Sequence, residues 1–276
     1  MIAIFLGTIV GLVLGLTGAG GSIFAVPLLI FGLGWSLTQA TPVALLAVSG
    51  ASVFGTIAAW RSGQVCKRAA LLIGIFGSVT APVGVLLAAR APHVVLIVSF
   101  AVVMVIVAAR LFLQARGQPS ETHLVRATGA HDVTAGAAVC RVDTTSSRIL
   151  LTFPCKIALA ASGAATGVLS GALGVGAGFV IVPTLRATTQ LSVGSSIATS
   201  LMAIAIISAS AVAAFLIRGG SLPLAVTAPF LIGALAGMLI GRWSAPRVSG
   251  PRLQQLFAAL MLLAAATMLW REFSAT

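Results

Sequence analysis

Residues 11–29 read GLVLGLTGAGGSIFAVPLL, and residues 167–185 read GVLSGALGVGAGFVIVPTL. Laid side by side without a gap, they agree at Gly11 and Gly167, Gly15 and Gly171, Gly18 and Gly174, Gly20 and Gly176, Val26 and Val182, Pro27 and Pro183, and Leu29 and Leu185. Sequence of this bias gives about two such matches by chance, so the agreement marks an internal repeat. Each copy lies inside a long apolar run, and a continuous helix through residues 2–33 would reach about 48 Å against a hydrocarbon core of about 30 Å. Glycines at this density are also poor helix formers. A break into two half-helices is therefore expected in each copy.

The surrounding composition defines the class. Of the residues, 59% are hydrophobic and 7% are charged, far too few charges to cover a water-soluble domain. The first charged side chain is Arg61. Residues 1–16 lack the basic flank and cleavage context of a secretory signal, so they read as a retained membrane segment. Uncharged or nearly uncharged runs at about 2–33, 40–60, 69–89, 94–113, 149–185, 193–217, 221–241 and 253–270 predict membrane spans. The expected fold is an all-α polytopic membrane protein of two homologous four-segment repeats. About eight transmembrane segments result, the first of each repeat broken at its glycine cluster. The first repeat covers residues 1–113 and the second 149–276. Residues 114–148, with three of the four acids (Glu121, Asp132 and Asp143), form a polar linker.

The repeat continues beyond the glycines. Arg61-Ser62-Gly63 and Arg218-Gly219-Gly220 follow the second span of each half, and a small-residue helix comes next both times: Gly74, Gly77, Ala81 and Gly84 against Gly233, Gly237 and Gly241. Small residues four apart let helix backbones approach closely in lipid. Close packing is the leading reading for the second set. Arg61 and Arg218 read as interfacial anchors.

A broken backbone at membrane depth leaves amides and carbonyls to be satisfied by protein or a water-filled path, and breaks at matching places in two repeats point to a transport site. The N-terminus of the second half-helix offers free N–H groups and partial positive charge. The candidate substrate-binding residues are Gly18, Gly20, Gly21 and Ser22 with Thr41 in the first half. In the second half they are Gly174, Gly176 and Gly178 with Arg186, Ser195, Thr199 and Ser200. Glycine lets an anion reach the backbone, the hydroxyls are neutral donors, and Arg186 is either an attractor for anions or an interfacial anchor. The competing reading of the glycines is close helix packing.

Several functions are disfavoured. No Gly-Lys-Ser/Thr follows the glycines, which removes a nucleotide-binding loop. Every acid lies in the linker or at Glu272, so no carboxylate in the spans can hold a cation or relay protons. No catalytic constellation appears in the spans, so no enzyme is expected. Cys66, Cys140 and Cys155 form no CxxC pair. Neither a disulfide framework nor a metal site is indicated, and Cys155 reads as small apolar filler. His93 stands alone at a span start and reads as interfacial. The net charge of +12 is scattered over span ends, so it speaks for headgroups and topology and against nucleic acid.

The duplicated Gly-x-x-x-Gly-x-x-Gly-x-Gly leading to Val-Pro, the hydroxyl-bearing helix Ser195-Ser196-Ile-Ala-Thr199-Ser200 and the basic Gly-containing turn resemble the TauE/SafE family of sulfite and organosulfonate permeases. The resemblance spans nearly the whole chain outside the linker. It implies transport of a small sulfur-containing anion such as sulfite, where the residues themselves go no further than a small anion. Ala40-Thr41-Pro42 departs from the hydroxyl-rich pattern that Ala198-Thr199-Ser200-Leu201 keeps, so the site leans on the second half. The alternatives are an anion channel, another secondary transporter with broken helices, and a non-transporting scaffold. No cofactor is expected. The partners are the anion and the bilayer, and a homo-oligomer is compatible with the chain. If each broken segment crosses once, eleven of the sixteen Lys and Arg fall on the side of both termini and the linker. That would make all three cytoplasmic in a bacterial inner membrane. If the broken segments are re-entrant, three crossings per half make the repeats inverted.

Overall fold

Apolar runs in lipid must satisfy their own backbone, and these runs do so as helices. The computed structural model of the chain describes residues 2–17, 20–61, 63–117, 141–143, 148–150, 152–176, 178–189, 191–248 and 251–274. Helix α1 (Ile2–Thr17) is followed by a 3-10 turn (Gly20–Phe24) and then by α2 (Ala25–Leu33), α3 (Leu37–Arg61), α4 (Lys67–Arg90) and α5 (His93–Gly117). Strands β1 (Arg141–Asp143) and β2 (Arg148–Leu150) form a short antiparallel pair. After them come α6 (Phe153–Leu173), α7 (Gly178–Thr188), α8 (Val193–Ile217), α9 (Leu224–Val248) and α10 (Pro251–Ser274). Among the described residues, six helices are long and apolar enough to cross a membrane.

Two compact units emerge. One joins residues 91–134 with 244–276; in it α5 packs on α10, with Phe100, Met104, Met261 and Ala265 buried. The other takes residues 1–90 and 135–243, and glycine governs its packing. On α6, a Cβ at Gly163, Gly167 or Gly171 would run into the carbonyls of Ile73, Gly77 or Ala81 on α4. On α1, a Cβ at Gly7, Gly11 or Gly15 would run into those of Phe230, Ala234 or Met238 on α9. From the opposite direction Gly84 abuts the Val168 carbonyl and Gly241 the Leu12 carbonyl. Gly233 and Gly237 likewise meet the Ile4 and Thr8 carbonyls, the close packing expected of them. In both pairs the residue numbers rise together, so α1 runs parallel to α9 and α4 to α6. Such contact replaces the hydrophobic effect as the source of helix association in lipid.

The two interfaces correspond residue by residue. The α6 glycines lie 156 positions after those of α1, and their α9 counterparts lie 157 positions after Ile73, Gly77 and Ala81 on α4. Helices α3 and α8 cross antiparallel: Ser49 Oγ donates to the Ala205 carbonyl (3.3 Å) and the Cys66 N–H to Thr199 Oγ1 (3.0 Å). Helix α8 runs parallel to α4, with Gly74 against Ile206 and Ser210 Oγ donating to the Ser78 carbonyl (2.8 Å).

The broken segments turn back. Gly21 lies against the Leu14 backbone and Gly32 against the Leu6 side chain, so α2 returns along α1. Pro27 falls in the first turn of α2, where its missing N–H costs nothing. In the other half α6 and α8 both run parallel to α4, and α7 carries the chain back between them. The one-crossing alternative, with Leu33 on the far side from Ile2, is thereby replaced by a pair of helical hairpins. Cysteine departs from expectation as well: Cys155 is disulfide-bonded, whereas Cys66 is free.

Candidate functional site

Each hairpin tip is shaped by a local rule. Helix α6 ends at Gly174, whose φ of 71° is left-handed and whose N–H donates to the Ser170 carbonyl (2.9 Å). This is the usual glycine stop signal, and it turns the chain into Val175 and Gly176. In the first half the turn is the 3-10 helix, with Gly21, Ser22, Ile23 and Phe24 all buried.

The two tips meet. A Cβ on Gly176 would lie 2.6 Å from Val48 Cγ1, 2.9 Å from Ser22 Cβ and 3.2 Å from Ser22 Oγ. The backbone of the second break is thus pressed against the first break, beside Val48 near the midpoint of α3. Gly174 packs on Thr41, 2.7 Å from a would-be Cβ to Thr41 Cγ2. Helix α2 begins three residues after Ser22 and α7 two residues after Gly176. Two helix N-termini, each carrying roughly half a positive charge, therefore start close to one point. None of the chain's four acids lies in a helix of this unit.

The other expected residues divide. Gly18 lies outside the described residues. Gly20 opens the 3-10 turn and Gly178 is buried at the start of α7. Thr41 Oγ1 donates to its own helix at the Leu37 carbonyl (2.8 Å). Thr199, fully buried, accepts from Cys66 and so ties α8 to the start of α4. Ser195 belongs to the N-terminal cap of α8, its N–H bonded to Ser192 Oγ (3.2 Å). Ser200 Oγ donates to the Ile197 carbonyl (2.8 Å). Arg186 is exposed on the last turn of α7. The bonds of Thr199, Ser195 and Ser200 thus run to Cys66 or within the start of α8.

Three features went unread in the sequence. Val48 forms the wall at which the breaks meet. The Ser52, Ser170 and Ser208 hydroxyls, like that of Ser196 in the hydroxyl-bearing helix already singled out, are buried without a protein partner; Ser52 and Ser208 stand 156 positions apart, the spacing of the glycine clusters, and that spacing was the available signal. Arg242 Nη1 reaches across to the Gly55 carbonyl on α3 (2.9 Å). A groove of about 480 Å³ between α3 and α8, lined by Val53, Ile57, Trp60 and Met202, contains none of the break residues. At its rim Lys67 Nζ stacks 4.0 Å above the Trp60 ring, a cation–π contact suited to an interface.

Six helices of membrane-crossing length among the described residues, in a chain this apolar, define an integral membrane protein. The chain belongs to the sulfite exporter TauE/SafE family, whose profile matches residues 3–268. A probable membrane transporter protein of Xylella fastidiosa strain 9a5c is 27% identical over 272 residues, covering 97% of this chain and 94% of the relative. The protein of the same description from strain Temecula1 / ATCC 700964 gives the same identity and coverage. No solved structure matches. Family and relatives agree on a membrane transporter.

Proposed function

We propose that the chain is a permease for a small anion of the sulfite or organosulfonate kind, which passes between the two glycine breaks. The observation that carries this reading is the meeting of Ser22 and Gly176, where two helix N-termini start close together in a unit whose helices hold no carboxylate. Amides that face an anion at a helix start need no cationic side chain to bind it. The sulfur chemistry rests on the family description. In proteoliposomes the expected result is saturable flux of sulfite or a sulfonate, with sulfate and carboxylates moved more slowly. If correctly inserted protein moves no member of a panel that also includes thiosulfate, the permease reading fails and a scaffold takes its place. Flux that never saturates would assign a channel.

The proposal includes two inverted repeats, 1–113 and 149–276, joined by the linker. The matched spacings of the α1–α9 and α4–α6 contacts support this, as does the antiparallel crossing of α3 with α8. Within the larger unit, one face gathers the end of α3 and the starts of α4, α6 and α8. Arg61, Lys67, Arg68, Lys156, Arg186 and Arg242 lie toward it, whereas Arg90 and Arg218 lie toward the other. The positive-inside rule then makes the linker face cytoplasmic and puts the start of α1 on the opposite side, not beside the linker. The Cys155 disulfide favours the reverse orientation, since cytoplasmic thiols stay reduced. Labelling decides between them. In a background without native cysteines, an impermeant maleimide added to intact cells is expected to modify Ser36→Cys and to spare Gln64→Cys. The opposite pattern inverts the orientation.

A further inference from the structure

The α1–α9 and α4–α6 interfaces correspond in position but not in residue, with Ile73, Gly77 and Ala81 standing where the other half has Phe230, Ala234 and Met238, and at one position the difference is a charge. A Cβ on Gly15 would lie 2.7 Å from the Met238 carbonyl oxygen and 2.8 Å from the Arg242 backbone nitrogen. Its counterpart on Gly171 would meet the Ala81 carbonyl and lie 3.0 Å from the Val85 nitrogen. Gly241 and Gly84 occupy equivalent places, as do Leu12 and Val168. Val85 and Arg242 therefore hold the same place in the two halves, and one of them carries a charge.

The environment of Arg242 is unlike that of a headgroup anchor. Arg61, Arg68, Arg90, Arg110, Arg186 and Arg218 are exposed, whereas Arg242 is half-buried. Its Nη1 turns inward to the Gly55 carbonyl of another helix (2.9 Å). A guanidinium has five N–H donors and no acceptor, and that carbonyl takes one of them. The chain's acids, Glu121, Asp132, Asp143 and Glu272, lie outside the helices of this unit. A charged group at such a position is costly and marks a pathway.

Its placement relates it to the breaks. Gly15 stands two residues before the end of α1, just ahead of the first break. Gly55 lies seven residues along α3 from Val48, about 10 Å at the helical rise, in the direction of Arg61 and hence of the linker face. We propose that Arg242 is an anion-binding subsite on the linker side of the path, for the same small oxyanion that the breaks take. The opposite side, with Val85, has no such subsite, so the two mouths differ in affinity for the anion. This rests on the reading that the breaks pass an anion.

The test is sulfite transport in membrane vesicles of each orientation, with wild type, Arg242→Gln and Arg242→Lys. Glutamine keeps an amide to bond the Gly55 carbonyl and removes the charge; lysine keeps the charge. With sulfite supplied at the linker face, Arg242→Gln is expected to raise KM at least tenfold with a smaller change in maximal rate. Arg242→Lys is expected to return KM to within a few-fold of wild type. With sulfite supplied at the opposite face, all three share one KM. Equal KM for wild type and Arg242→Gln at the linker face overturns the proposal. So does an equal loss in both variants accompanied by a lowered thermal midpoint, which would make the residue a structural tie to Gly55. Wild-type vesicles that move no sulfite fail the permease reading itself, a result separate from either.

Discussion

Leucine in place of Gly176 is expected to lower the rate of anion transport by about a hundredfold or more, the scale on which displacements near 1 Å act at a reacting or binding centre. The protein should stay folded. The atoms that a side chain at Gly176 would strike first are Val48 Cγ1 and Ser22 Cβ. Val48 Cγ1 can shift by rotation about χ1, and Ser22 Cβ can move only with the 3-10 turn that carries it, so the overpacking cost is of the order of 1–3 kcal/mol. The same shift spoils the meeting of the two breaks, because Ser22 must move away from the backbone at which the anion would bind. Initial rates in proteoliposomes at matched protein content, read beside a thermal melt, separate the two effects. Normal transport by a folded Gly176→Leu protein would remove the breaks from the path.

The reverse outcome is expected at Gly237. A Cβ there would collide with the Thr8 carbonyl and lie 2.7 Å from the Leu12 nitrogen. Both are backbone atoms of a helix and cannot rotate out of the way. Leucine must separate α1 from α9 along the stretch where Gly233 and Gly241 also make backbone contact. The expected loss is about 4 kcal/mol or more, which for a chain of this length lowers the melting midpoint by roughly 10 °C. A Gly237→Leu protein that melts like wild type would show that this interface contributes little. If it melts normally and fails only in transport, the roles given to Gly176 and Gly237 must be exchanged.

What the sequence made legible follows from which physical rules act locally. The glycine clusters announced two interruptions because a helix of that length and composition does not fit the bilayer. The spacing of Gly233, Gly237 and Gly241 announced a close helix contact, although not the partner, since α1 is more than two hundred residues away. The direction of the chain after each break was not legible. Glycine permits a turn without setting its angle, and the return of α2 along α1 is fixed by tertiary contacts such as Gly32 with Leu6. The local bonding of the hydroxyls was not legible for a related reason. Ser195 and Thr199 looked like ligand donors in the sequence, and the structure adds that the Ser195 N–H caps α8 and that Thr199 Oγ1 serves as the acceptor for the Cys66 N–H. Arg242 was passed over because arginine near a span end resembles an anchor, and only its inward bond to Gly55 tells otherwise. The sulfur chemistry is written in none of these residues and comes from kinship alone.

The parallel contact between α1 and α9 also sets an order of events during biosynthesis. Ile2–Thr17 is made long before α9, and the face that carries Gly7, Gly11 and Gly15 has no mate until Phe230, Ala234 and Met238 leave the ribosome. Long-range contacts of this kind form late. In the meantime the first hairpin waits in the bilayer with a smooth glycine stripe turned to lipid. A chain stalled before α9 thus leaves α1 unlatched, its glycine face still open to lipid.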